Sequence, residues 1–585
     1  MSHIRRLKIE RFRGIDSLTW QPKSGVNIIL GGGDVGKSTI LDAIGLLLSP
    51  TNVYVLTDAD YWRRDVESEF VVEAVMSLPD IQAVSQQPKM NWLWEWDGEK
   101  PVLPLDDDVN DDDQRKRREP VYLVRVRGTS DVELAYEIVQ PDASVEVFSV
   151  GLRRAIGLVR LAGDDRNDRD LRLVQGSGLD RLLADKGLRS RLGRQLATED
   201  VKEQLKREAQ TVLSDLETNF EERALPTGLG LGITGGPGIS LNALVGLTAD
   251  KGGVTLPLAS WGAGTRRLAV LAIADALQAE HPITLVDEIE KGLEPYRQRT
   301  LIENLKEGGA QVFITTHSAA ALSAASDSAL WYLDAKGKIG RLPNEKIARH
   351  QKSHPDTFLA RLAVVCEGAT EIGFASVLLG KAIGDFIQQG VWTTDGGGHE
   401  STLELLEALA AGGLSFAGIV DNEGKWPERW ARIKKSLGAL LLQWPHGCLE
   451  QHVIPLFELA TLPSLIDDPQ GTRTGMRLRT LADRLEIEQT DIERIKAVAG
   501  NGLAQLIIEA ATGRVPEKFA AAEDTKRKQF KGHASVWFKS FEGGRELAEK
   551  VFTLGAWSKL ETESLPFLNA IRQTIGLPAI VSLDA

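Results

Sequence analysis

Two groups of residues in this sequence combine types and spacings that can do chemistry. The first is Gly31-Gly-Gly-Asp-Val-Gly36-Lys37-Ser38, which fits the pattern G-x-x-x-x-G-K-[ST]. Glycines let backbone N–H groups turn inward around phosphate oxygens, and a helix N-terminus behind them adds positive potential. Lys37 would reach the β and γ phosphates of a nucleotide, and Ser38 would offer its hydroxyl to Mg2+. Gly31, Gly33, Asp34, Gly36 and Thr39 complete the expected cradle. Ile283-Thr-Leu-Val-Asp287-Glu288 supplies the matching acids. Asp287 would hold the Mg2+ hydration shell, and Glu288 would orient or deprotonate an attacking water. His317, in Thr315-Thr316-His317, could contact the γ-phosphate; in isolation it would read as a structural histidine.

The second group is acidic. Glu367 and Glu371, in Cys366-Glu367-Gly368-Ala-Thr-Glu371, are one helical turn apart, so both carboxylates can face one point. Asp421-Asn422-Glu423 ends a later apolar run, and Glu450 follows another. Such acids can hold one or two hard cations through oxygen, and a metal pair can activate water at a phosphodiester. The plain alternative for each acid is a solvated strand terminus, and Glu450 reads equally well as a surface acid. Gly396-Gly-Gly-His399 could form a loop beside the metals, with Asp395 shaping the turn. Lys526-Arg-Lys-Gln-Phe-Lys531 and Lys539-Ser-Phe-Glu-Gly-Gly-Arg545 offer cations for a nucleic-acid backbone. Lys539 is the residue expected to stabilise charge developing on the scissile phosphate.

These groups need positioning elements. Val26-Asn-Ile-Ile-Leu30, residues 283–286 and residues 311–315 read as strands buried on both faces, the pattern of a parallel sheet. The first two deliver the phosphate loop and Asp287-Glu288 at their C-terminal tips, where open α/β sheets bind ligands. Residues 39–48 read as the helix after the loop, and residues 4–14, 70–76 and 121–127 as further strands. The spacing predicts an N-terminal ATPase lobe over 1–165, a helical insertion and candidate dimerisation element over 166–250, and a C-terminal lobe over 251–350. A glycine-rich stretch, 228–238, closes the insertion. A linker between Pro343 and Pro355 leads to a second α/β unit, 357–585, with strands at 362–366 and 416–420, helical elements and a basic C-terminal region. The runs Asp106-Asp-Asp-Val-Asn-Asp-Asp-Asp113 and Arg115-Lys-Arg-Arg118 read as a solvated loop.

Composition narrows the class. A chain of 585 residues, 42% hydrophobic and 26% charged, is long enough for about four globular units. The net charge of −13 confines any nucleic-acid contact to local basic patches. Two cysteines, Cys366 and Cys448, cannot build a disulfide framework or a four-thiolate zinc site. No apolar run is long enough to span a bilayer and the N-terminus lacks a signal-peptide core, so a cytoplasmic protein without membrane contact is expected.

The phosphate loop, the Asp-Glu strand, the segment 4–14 and Leu258-Ala-Ser260-Trp-Gly262-Ala-Gly264 together resemble the ABC-type ATPase heads of chromosome-maintenance and recombination ATPases. That resemblance implies that Ser260 and Gly262 of one head complete the nucleotide site of another, and it places residues 292–294 in the inter-head loop. Ser260-Trp-Gly-Ala-Gly departs from the usual Leu-Ser-Gly-Gly-Gln. The acids resemble a Toprim fold, in which a Glu follows one strand and an Asp-x-Asp a later one; here Glu423 stands in place of the second Asp. A head followed by Toprim on one chain is similar to the OLD (overcoming lysogenisation defect) family of nucleases, class 2, which includes the nuclease subunit of the Gabija anti-phage system.

The fold so implied is α/β: an ABC-type ATPase head with a helical dimerisation insertion, then a Toprim domain with helical additions. The function implied is an ATP-regulated endonuclease that nicks and cleaves DNA by a two-metal mechanism, in phage defence or DNA repair. ATP and Mg2+, with Mn2+ or Ca2+ as alternatives at the nuclease site, are the implied cofactors. DNA, a homodimer or higher homo-oligomer and a UvrD-like helicase are the implied partners. A competing reading is an ATP-gated DNA clamp or repair scaffold with an inactive Toprim fold. A topoisomerase- or primase-like enzyme is disfavoured: topoisomerase chemistry needs a tyrosine, and Tyr54, Tyr61, Tyr122, Tyr136, Tyr296 and Tyr332 all precede the Toprim region.

Overall fold

The computed structural model describes residues 2–33, 35–78, 93–104, 118–161, 168–174, 177–183, 185, 205–233, 245–276, 283–334, 337–412, 416–468, 471–520 and 524–583. Asp34, the acidic run 106–113 and the basic residues 115–117 lie outside them. The chain forms two compact units, Met1–Asn344 and Glu345–Ala585, where length alone suggested more.

In the first unit, the described residues build a six-stranded sheet with Val26–Leu30 near its middle. Its order is Leu158–Leu161, Ile283–Val286, Val312–Thr315, Val26–Leu30, Ala329–Leu333 and Ile339–Leu342. All neighbours are parallel except the last pair. The three strands expected from continuous apolar runs are buried along their whole length, as strands covered on both faces must be. The register Val286↔Ile314 and Thr315↔Ile29 brings three strand tips to one edge. Helix Lys37–Leu47 follows directly and buries Ile40, Leu41, Ile44 and Leu47.

The alternating N-terminal segment becomes strand His3–Phe12, paired antiparallel with Ile15–Trp20 and Phe70–Ser77. It belongs to an eight-stranded sheet of the described residues, buried on one face by Ile4, Leu7, Ile9 and Phe12. The region 166–250 corrects the expectation of a helical insertion. It holds helices Gly178–Leu183 and Arg207–Glu222, but also strands Gly230–Ile233 and Val245–Lys251, which join Val254–Pro257 in a small antiparallel sheet. The glycine-rich stretch misled because glycine lowers strand propensity, while the Leu and Ile between the glycines supply the pairing face. The proposed linker is likewise structured: residues 344–353 form helix Asn344–Ser353.

The second unit carries a four-stranded parallel sheet of described residues, ordered Val391–Asp395, Leu362–Cys366, Ala417–Val420, Leu441–Gln443. The register Cys366↔Asp395 and Cys366↔Ile419 aligns the tips that carry the acids. A large apolar core, including Phe374, Trp444, Trp537 and Phe538, packs around it. Inside that core Arg477 makes a bidentate pair with Glu546 (2.6 and 2.7 Å), and Lys550 adds a third charge at 2.7 Å. Both partners hold the Glu546 carboxyl below its usual range against the upward push of burial.

Candidate active sites

At the sheet edge of the first unit, Gly36 (φ 99°) caps helix Lys37–Leu47. The Lys37 side chain is buried and donates to the carbonyls of Gly31 (3.1 Å) and Gly32 (2.6 Å). Ser38 Oγ donates to Asp287 Oδ1 at 2.9 Å, so the two expected Mg2+ ligands meet across 249 residues. Thr315 Oγ1 donates to the same oxygen (2.6 Å) and accepts the Glu288 N–H (2.8 Å). Glu288 itself has φ 48°, a left-handed backbone that costs a non-glycine residue and commonly marks a functional site. Its carboxylate lies 3.5 Å from Lys291.

His317 is exposed at the tip of the neighbouring strand. Its backbone N–H donates to Glu290 Oε1 (2.8 Å), whose other oxygen accepts from Thr316 Oγ1 (2.7 Å). Glu290 carried one signal in the sequence, a third acid two residues beyond Glu288. Ser260 and Gly262 are exposed, and Ser260 Oγ donates to Pro257 O at 2.7 Å. Behind them, helix Ala263–Ala276 meets the loop after Glu288 at two glycines. A Cβ on Gly264 would lie 2.2 Å from Gly292 O, and one on Gly292 would lie 2.8 Å from the Ala263 Cβ. Arg267 ties the same bodies together by donating to the carbonyls of Asp287 and Lys291.

In the second unit, Glu371 in the first turn of helix Ala369–Ile383, Asp421 at the tip of strand Ala417–Val420 and Glu450 on helix Leu449–Val453 are all buried. Burial first, then Glu371, Glu367 and Glu450, pushes the Asp421 carboxyl up to about 9. Burial and the neighbouring Glu450 and Glu367 likewise push Glu371 up to about 7, against its own backbone amide and Lys539. Glu450 is 0% exposed, and neither of its oxygens receives a hydrogen bond among the described residues. Lys539 Nζ stands 3.5 Å from Glu450 Oε1. Burial pulls that ammonium down, but Glu450, Cys448, Glu371 and Asp421 outweigh it and hold it above the usual lysine range.

Lys539 reaches this cluster through the residues after it. Ser540 caps helix Phe541–Thr553 by accepting the Gly543 N–H (3.0 Å), and Gly544 lets that helix approach Ala369–Ile383 backbone to backbone. A Cβ on Gly544 would sit 2.0 Å from Thr370 O, and one on Gly373 would sit 1.9 Å from Phe541 O. The Lys-Ser-Phe-Glu-Gly-Gly order is therefore a close-packing device that delivers the lysine to the helix bearing Glu371.

Glu367 is bound otherwise: its Oε2 accepts from the Asp421 N–H (3.1 Å) and contacts His399 Nδ1 (3.0 Å). The loop before His399 wraps the same tip, with Gly396 N–H on Cys366 O and Gly398 N–H on Glu367 O. Asp395 forms the turn by accepting the Gly397 N–H at 2.8 Å. Glu423 sits apart from the buried acids, 40% exposed and 2.8 Å from Lys425, whose hydrogen bond holds the carboxyl below its usual range. Among the described residues, no group of three or more His, Cys, Asp or Glu side chains is arranged to hold a metal ion as it stands. The chemistry of the donor set is that of a hard-cation site, since Glu450 is a buried carboxylate beside two others with the one ammonium of Lys539 facing them. The basic run 526–531 lies on helix Asp524–Gly532, its lysines exposed and Phe530 buried.

Residues 26–323 match the family described as AAA domain, putative AbiEii toxin, Type IV TA system. Among solved structures, the chain is similar to an Smc head bound to the C-winged helix domain of ScpA, at 17% identity over 59% of this chain and 99% of that one, TM-score 0.37. It is also similar to the recombination mediator protein RecF with ATPrS (14%; 58% and 98%; TM-score 0.35). The SMC head domain from Thermotoga maritima is a further neighbour (16%; 58% and 99%; TM-score 0.28). No curated protein matches the chain. No helix of the described residues is long and apolar enough to cross a membrane.

Proposed function

The chain belongs to the AAA-domain family that its residues 26–323 match, and from that premise we propose an ATP-hydrolysing DNA endonuclease whose ABC-type head regulates a Toprim-type nuclease site. The observation that carries the nuclease reading is Glu450. Glu450 lies buried without a hydrogen bond beside Glu371 and Asp421, and the Lys539 ammonium 3.5 Å away is one cation facing three carboxyl groups, a shortfall that a divalent ion would fill. Glu367, Glu371, Asp421 and Glu450 would hold Mg2+, with Mn2+ or Ca2+ as substitutes and Glu423 as an outer ligand after release from Lys425. Bound divalent ions supply water activation and charge stabilisation at a phosphodiester. Lys539, with its side chain 40% exposed, would meet the scissile phosphate.

In the head, Lys37 would leave the Gly31 and Gly32 carbonyls for the nucleotide phosphates, and Ser38 with Asp287 would hold Mg2+. Glu288 would take the proton of the attacking water, and His317, braced through Glu290, would face the γ-phosphate. Ser260 and Gly262, being exposed, are available to complete a second head's site in a homodimer. DNA as substrate, phage defence or repair as setting, a cytoplasmic location and a UvrD-like helicase partner follow from the same reading.

Nicking of supercoiled plasmid by purified protein with Mg2+ or Mn2+ tests it. Glu371→Ala should abolish nicking and leave ATP binding intact; loss of both would refute separable sites. One observation favours a second reading, an ATP-gated DNA clamp or repair scaffold with an inactive Toprim fold. Glu423 is paired with Lys425, and the acids are not arranged for a metal as they stand. Plasmid that stays supercoiled with either metal, while DNA binding responds to ATP, would select that alternative.

A further inference from the structure

Asp421-Asn422-Glu423 continues into Gly424-Lys-Trp426-Pro-Glu-Arg-Trp430, where Trp426 caps helix Pro427–Leu437 and Trp430 lies in its first turn, so that two indoles return to His399. Trp426 stacks on the His399 ring (centroids 5.8 Å, planes 17° apart) from a left-handed backbone, φ 50° and ψ 49°, which a bulky residue adopts only when its surroundings impose it. Trp430 is buried and its Nε1 lies 3.2 Å from His399 Nε2. An indole N–H can only donate, so Nε2 is the acceptor and the neutral ring carries its proton on Nδ1. That proton points along the 3.0 Å contact to Glu367 Oε2, the oxygen that also takes the Asp421 N–H.

We propose that His399, its tautomer set by Trp430 and its ring clamped by Trp426, is a positioning residue that fixes the Glu367 carboxylate for metal capture. Two donors on Oε2 set the carboxylate plane and leave Oε1 for the cation. A partner that orients a metal-binding side chain commonly governs affinity as strongly as the side chain itself. The inference deepens the metal-dependent reading above and rests on it.

Mn2+ binding by the full chain, followed by electron paramagnetic resonance of the free ion, gives a readout independent of cleavage. Glu371→Gln reports whether the cluster binds Mn2+ at all: a wild type without binding, or a Glu371→Gln variant that binds equally well, overturns the metal reading and this inference with it. Given binding, His399→Ala should weaken it by about 10- to 100-fold. His399→Asn keeps an amide N–H near the Nδ1 position and should stay within about threefold of wild type, whereas His399→Gln, whose N–H falls near Nε2, should resemble alanine. Trp430→Phe keeps the packing, releases the tautomer and should weaken binding several-fold. Melting temperatures of the five variants control for folding. With melting unchanged, equal affinity in His399→Ala and wild type, or equal weakness in His399→Ala and His399→Asn, overturns the positioning role while leaving the metal reading intact.

Discussion

The nucleotide site and the acid cluster sit at the C-terminal edges of parallel sheets, yet they spend their polar groups differently. In the first, Lys37 donates to the Gly31 and Gly32 carbonyls, and Ser38 and Thr315 donate to Asp287, through hydrogen bonds of 2.6–3.1 Å before any ligand arrives. In the second, Glu450 is buried with no hydrogen bond among the described residues and only an ion pair to Lys539 at 3.5 Å, and burial with mutual repulsion drives Asp421 and Glu371 toward the protonated form. The difference teaches that a site can wait for its ligand in two ways. One is folded into internal bonds that the ligand must replace; the other is held under electrostatic stress that a cation relieves.

The contrast can be broken most severely at the scaffold of the acid cluster. Glu546→Ala leaves Arg477 and Lys550 as uncompensated buried charges and should destabilise the second unit by about 3–5 kcal/mol, read by chemical denaturation. Nucleotide affinity of the first unit should not change.

Acid should separate the units next. His350 is half-buried against Thr357 and Thr394 (3.2 and 3.1 Å), and desolvation first, then His354, depresses its pKa to about 4. A depressed histidine is neutral when folded and charged when unfolded between those pKa values. Its contribution is therefore present above pH about 6.5 and lost as pH falls toward 4. The loss should approach about 3 kcal/mol in the second unit, and His350→Gln should flatten that part of the stability profile.

A divalent cation should sharpen the comparison from the other side. Mn2+ at about a hundredfold excess over its dissociation constant should stabilise the second unit by about 2.7 kcal/mol, an effect absent in Glu371→Ala and followed by calorimetry. Lys37→Ala removes charged hydrogen bonds to phosphate and should cost about 1.5–3 kcal/mol of nucleotide affinity, roughly 10- to 150-fold, by fluorescent-nucleotide titration. The Mn2+ response of that variant should be unaltered, because Lys37 belongs to the other unit.

Much of this was legible in the amino-acid order. Continuous apolar runs marked the central strands, because strands covered on both faces carry no alternation. The phosphate loop and Asp287 were readable because their spacing is a mechanical requirement, and the Ser38–Asp287 bond joins them directly. Less was readable where contacts decide the outcome. Glu423 and Glu450 could not be ranked by position, since one pairs with a lysine two residues away while the other is sealed in the core. Trp430 has no spacing signal, and Glu290 only its place two residues beyond Glu288, because each acts on a group that tertiary packing brings near. The small sheet of residues 230–257 was hidden by glycines that favour turns locally but are overridden by pairing.

The glycine contact between helix Ala263–Ala276 and the loop after Glu288 carries one more consequence. With no side chain as a cushion and Arg267 pinning both the Asp287 and Lys291 carbonyls, a methyl group added at Gly264 or Gly292 has no room unless the two segments part, which would shift the backbone that carries Asp287 and Glu288.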